Sequence, residues 1–160
     1  ADVEVGGTSH AGPADADLGR LLAEAAGSAP SGGNLQPWRW SYSGSVFSGH
    51  FDRSRVSAVL DYRRLGTYLA FGAAAENVAL RSGQLGFRAE IMAFPHGLRD
   101  DLVFNAALHE DPDATLDPLA DQIAHRCTDR HRGRRVPLPD HAARGRGAGR
   151  RARGCEHRST

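Results

Sequence analysis

Leu18, Leu21, Leu22, Ala25 and Ala26 recur at three- and four-residue spacing, which predicts a helix with one apolar face. Asp15 or Asp17 can cap its start, and Gly27 lies where it should end. The rhythm changes at Trp38-Arg39-Trp40-Ser41-Tyr42, where large and polar residues alternate. A second run over residues 46–51 follows Ser43-Gly44-Ser45, and the pair reads as a β-hairpin. Residues 52–65 are expected to hold a short amphipathic helix around Val56, Val59 and Leu60, with a break near Gly66. Thr67 or Gly66 then opens the strongest helical segment, residues 68–85, with Leu69, Ala73, Val78 and Leu80 among its apolar positions. From Tyr68 to Ala75 it is apolar nearly all round, which implies deep burial or a helix interface. Gly86 suits the C-cap of that helix, residues 87–93 read as a strand, and Phe94-Pro95-His96-Gly97 turns the chain into a second strand at 102–108. A polar loop over 111–117 and a short helix over 116–125 complete the pattern. The order α-β-β-α-α-β-β-α argues for a mixed α+β domain.

Composition adjusts this picture at the two ends. The 160 residues suit one domain with a single core. Residues 1–14 hold Gly6, Gly7, Gly12 and Pro13 with almost nothing to bury, so they read as a flexible linker. All 20 basic residues are arginine, so each arginine is weak evidence for bidentate chemistry. The net charge of +1 hides an asymmetry: residues 1–139 carry 14 Arg against 17 Asp and Glu, and residues 140–160 carry six against two. That last segment, rich in Arg, Gly and Ala, has no Val, Ile, Leu, Met or aromatic residue and cannot build a core. It reads either as a basic arm or as out-of-frame translation of a GC-rich gene. Two cysteines, Cys127 and Cys155, are too few for a disulfide framework, and both are expected to be reduced thiols. No stretch approaches the roughly 18 apolar residues of a membrane span, and a cytoplasmic protein with no membrane partner is expected.

The strongest chemical signal is Ala29-Pro30-Ser31-Gly32-Gly33-Asn34-Leu35-Gln36-Pro37-Trp38. Two glycines between a helix end and a strand let the backbone approach a flat ligand closely, and Ser31 and Asn34 offer short hydrogen-bonding groups. A plain turn followed by two core tryptophans accounts for the same residues, because Gly and Asn dominate turns. No nucleophile elbow, Walker motif or dinucleotide fingerprint is present. His125, Cys127, His131, Cys155 and His157 match no standard zinc spacing, so no metal site is expected.

The decapeptide resembles the flavin-cradling loop of the FMN-dependent nitroreductase family. Gly72-Ala73-Ala74-Ala75-Glu76-Asn77-Val78-Ala79-Leu80, with Leu85-Gly86 after it, is similar to that family's long central helix. The resemblance implies that Pro30, Ser31, Gly32 and Asn34 contact FMN, while Glu76 and Asn77 are structural. It implies a three-layer fold with a central antiparallel sheet and a long buried interface helix. Ordinary members open with an R-x-S-x-R motif that clamps the FMN phosphate, and no such motif precedes the loop here. Arg126-Cys127-Thr128-Asp129-Arg130, followed by Val136-Pro137-Leu138-Pro139-Asp140, resembles that opening motif instead, which would make Arg126, Thr128 and Arg130 phosphate ligands.

This order is similar to the double-length branch, in which one chain carries two halves as an internal pseudo-dimer. Residues 15–139 would then hold the first half and the start of the second, an incomplete fold needing a homodimeric partner or a missing second half. The implied activity is transfer of hydride from NAD(P)H through FMN to a nitroaromatic- or quinone-like small molecule. The alternatives are an FMN-binding storage or stress protein with little turnover, an inactive truncated product, and a nucleic-acid binder acting through the tail. The tail lacks aromatics for base stacking, which argues against nucleic acid.

Overall fold

The computed structural model describes residues 3–4, 13–56, 61–114 and 116–128. The chain divides into two compact units, Ala1–Ala124 and His125–Thr160, and each is taken by itself. The first is an α+β unit: two helices packed on a four-stranded antiparallel sheet, with one short parallel strand at its edge.

Strand β1 (Val3–Glu4) falls inside the expected linker and pairs in parallel with β2 at Trp40 and Ser41. Helix α1 (Pro13–Gly27) starts ahead of both candidate caps. Proline has a fixed φ suited to the first turn, and its missing N–H costs nothing there. Leu22, Ala23, Ala25 and Ala26 are its buried face.

Strands β2 (Trp38–Ser43) and β3 (Val46–Phe51) form the expected hairpin. Gly44 and Ser45 both have positive φ, 57° and 62°, as a two-residue turn matched to strand twist requires. The short amphipathic helix expected around Val56, Val59 and Leu60 falls largely on residues 57–60, outside the described residues. The Asp52 carboxylate accepts the Ser54 N–H at 3.1 Å and the Ser54 hydroxyl at 2.6 Å, which closes a single 3₁₀ turn, Arg53–Arg55. Val56 is already extended. A second 3₁₀ turn, Tyr62–Arg64, runs into α2 (Leu65–Gln84). Strands β4 (Phe87–Ala93) and β5 (Leu102–Glu110) follow, and a 3₁₀ turn, Pro118–Gln122, stands within the expected last helix. The sheet order is β1-β2-β3-β5-β4. Among the described residues no helix is long and apolar enough to cross a membrane.

Strand alternation sorts the sheet into two faces. Trp38, Trp40, Tyr42, Phe47, Phe51, Phe104, Ala106 and Leu108 are buried. The other face carries polar cross-strand pairs: Ser41 with His50 at 2.9 Å, and Ser48 donating to Asn105 at 2.7 Å. Phe71 on α2 fills the centre of the core, edge-on to Trp38, Trp40, Phe51 and Phe104 at centroid distances of 6.0 to 6.4 Å. Asn77 ties the helices together, its amide donating to the Ala25 carbonyl at 2.9 Å. Of the deep burial or helix interface expected of α2, only one-sided burial occurs within this unit. Ala70, Phe71, Ala74, Ala75 and Val78 face the core, whereas Leu69 is 75% exposed.

Gly49 pairs with Trp40 on one side and Phe104 on the other, and these two rings approach to 6.2 Å. A Cβ at Gly49 would run into the Phe104 ring. Gly49→Ala should therefore destabilise the fold by about 1–3 kcal/mol through overpacking. Urea denaturation checks this, with a lower midpoint at unchanged slope expected; an unchanged midpoint would refute the packing described.

Candidate functional site

The loop between α1 and β2 is held at both ends and open in the middle. Its start is fixed by buried Ala29, whose N–H donates to the Ala26 carbonyl at 3.1 Å. Its end is fixed by buried Pro37, whose carbonyl accepts from the Asp52 N–H at 3.0 Å. Between them Gly32–Asn34 makes a 3₁₀ turn. The Ser31 hydroxyl accepts the Gln36 N–H at 3.0 Å, which closes the turn and leaves its own proton free to donate.

Three residues of this loop are left-handed: Gly33 at φ 60°, Asn34 at 56° and Gln36 at 47°. Glycine adopts this without cost and asparagine tolerates it, but glutamine has no such excuse. Strain of this kind, about 1–3 kcal/mol per residue, gathers at functional sites. Gly32 is different, because its own φ does not demand glycine and a Cβ there would meet nothing within 4 Å. The space a side chain would fill is open.

A cavity of about 330 Å³ lies against this turn. One wall is Ser31, Gly32, Gly33, Leu35 and Pro37; the other is Val56, Asp61 and the first turns of α2 at Gly66, Thr67 and Ala70. Asp61 organises that second wall. Its carboxylate accepts the Gly66 N–H at 2.8 Å, the Thr67 N–H at 2.9 Å and the Thr67 hydroxyl at 2.6 Å. Burial pushes the Asp61 carboxyl up, but these hydrogen bonds and the nearby Arg64 charge together hold it below its ordinary 3.8. The positive end of α2 is thereby already matched by an anion of its own chain.

The expected site residues divide accordingly. Ser31 and Gly32 line the cavity; Pro30 and Asn34 are exposed and do not line it. Arg126 and Thr128 belong to the second unit, where both are exposed. Arg130 and residues 140–160 lie outside the described residues. Cys127 is disulfide-bonded rather than a reduced thiol, and Cys155 lies outside the described residues. Among the described residues no cluster of three His, Cys, Asp or Glu side chains could hold a metal ion.

Sequence reasoning missed Asp61, Thr67 and Val56. The available signal was an aspartate shortly before a helix start, which marks a cap. No family model matches the chain, and no curated protein matches it.

Asp61→Ala should lower stability by about 0.5–2 kcal/mol at pH 7, the usual value of a lost cap. Because the folded carboxyl titrates below 3.8, its contribution is complete above that value and lost as pH falls through the folded value. Chemical denaturation from pH 7 to pH 2 should show the two proteins converging in acid. A gap that stays constant to pH 2 would contradict the assigned role.

Proposed function

We propose that this chain is the FMN-binding part of a nitroreductase-like NAD(P)H oxidoreductase, with the cavity beside Gly32 as one side of the flavin site. The observation that carries this reading is the open, side-chain-free backbone at Gly32, facing a cavity within the roughly 300–1,000 Å³ range of small-molecule sites. Two helices on an antiparallel sheet suit the proposed family fold, and the full three-layer arrangement is part of the proposal. When bound, FMN would supply the hydride and electron chemistry, taking reducing equivalents from NAD(P)H and delivering them to a nitroaromatic- or quinone-like acceptor.

The chain's own residues have narrower tasks. Gly32 and Gly33 admit a flat ring against the main chain. The Ser31 hydroxyl, with its oxygen engaged by Gln36, can donate one hydrogen bond to the ligand. Leu35, Pro37 and Val56 supply apolar surface that excludes water, and Thr67 and Asp61 hold the opposite wall rigid. Leu65 and Leu69 on α2, 59% and 75% exposed, and Tyr62 just before it, 77% exposed, support a second copy or a second half as the element that closes the site.

Titration of the full chain with FMN, followed by flavin fluorescence, tests this. Saturable binding is expected, and Gly32→Val should weaken it at least tenfold with no change in the unfolding midpoint, because the added side chain enters space the protein itself leaves empty. Failure of the wild-type chain to bind, or equal affinity in the variant, would overturn the reading. NAD(P)H oxidation with nitroaromatic and quinone acceptors then separates a catalyst from a flavin store.

A further inference from the structure

A second cavity, of about 160 Å³, is lined by Phe51, Arg53, Val56, Asp61, Arg63 and Arg64. Its cationic groups are unequally engaged. Arg53 is paired with the Asp101 carboxylate and donates to the Arg99 carbonyl at 3.0 Å. Arg55 nearby is paired with Asp52 at 3.2 Å. Arg63 and Arg64 have no ion pair among the described residues. The Arg64 guanidinium sits 5.0 Å from the Phe51 ring centroid, and its Nη1 is buried with no hydrogen-bond partner. A buried charged donor left without a partner is costly. The acidic group lining the cavity is Asp61, whose oxygens are already occupied by Gly66 and Thr67.

The backbone concentrates strain at the same place. Arg63 and Arg64 are consecutive left-handed residues, at φ 55° and 60°, an arrangement costing about 1–3 kcal/mol per non-glycine residue and persisting where the surroundings impose it. It sets two adjacent arginines on one cavity, the Arg63 guanidinium lying 5.9 Å from the Tyr62 ring centroid. Guanidinium forks match phosphate oxygens in charge and in bidentate geometry. One water needs roughly 10–15 Å³, so the volume admits a tetrahedral oxyanion.

We propose that this cavity is a phosphate-monoester subsite, with Arg63 and Arg64 as its ligands. Val56 and Asp61 line both cavities, so a ligand whose planar part rests on Gly32 can carry its phosphate here. The assignment rests on the flavin reading for the rest of the ligand, and it puts the FMN phosphate on Arg63 and Arg64 rather than on Arg126, Thr128 and Arg130.

The test compares FMN with riboflavin, which lacks the phosphate, on the full chain. FMN should bind wild type at least tenfold more tightly. In Arg63→Gln/Arg64→Gln that advantage should vanish, with riboflavin affinity unchanged. Arg64→Gly, which accepts the left-handed backbone without strain, gives the same comparison if the double variant fails to fold. An FMN advantage that survives these changes, or is lost in Arg126→Gln/Arg130→Gln instead, overturns the subsite and leaves the flavin reading standing. If neither flavin binds wild type, the flavin reading fails and inorganic phosphate decides the subsite. Arginine side-chain NMR shifts on adding phosphate, absent in Arg64→Gly, support it; no shift in wild type overturns it.

Discussion

Phe71 holds the structure at its centre, edge-on to Trp38, Trp40, Phe51 and Phe104. Aromatic pairs in this geometry contribute about 0.5–1.5 kcal/mol each beyond the area they bury, and here one side chain makes four. The consequence for the site is positional. Trp38 begins β2 directly after the loop, and Phe71 follows Ala70 in the α2 turns that form the opposite wall. The contact between the two rings therefore sets the width of the cavity. Asn77 bonding to Ala25 adds a fixed distance between α2 and the helix that feeds the loop.

That rigid frame explains how the chain sustains unfavourable backbone. Asn34 and Gln36 on one side, and Arg63 and Arg64 on the other, are all left-handed, and isolated peptides would relax out of such conformations. The loop ends are tied by Ala29 and Pro37, and Asp61 anchors the start of α2 through Gly66 and Thr67. The two strained turns border two cavities that share Val56 and Asp61 as lining residues. In the proposed function one turn presents bare backbone to a planar ring, and the other presents guanidiniums to a phosphate.

Periodicity made much of the fold legible. The hairpin could be read because Trp38, Trp40 and Tyr42 alternate with polar residues before a Gly44 turn, and the long helix because its apolar positions run uninterrupted to Gly86. Local side-chain capture of backbone donors leaves no periodic trace, so the start of α2 was misplaced: Asp61 reaches forward to cap the helix, which begins at Leu65 rather than near Thr67. At the candidate site, the cavity wall at Ser31 and Gly32 was legible because a loop rich in small residues advertises close approach. Arg63 and Arg64 were not. Their significance lies in a left-handed backbone and an unpartnered guanidinium, and in a chain whose every basic residue is arginine the residue type carries little information.

In the proposed function the frame built on Phe71 presents Ser31, Gly32 and Gly33 as a preformed wall for a flat ligand. Amide hydrogen exchange of the full chain with and without saturating FMN reads this out: slowed exchange is expected at Gly32 and Gly33, with the Trp38 and Trp40 amides of β2 unchanged. Slowed exchange throughout the core, or none in residues 31–33 at saturation, would refute it.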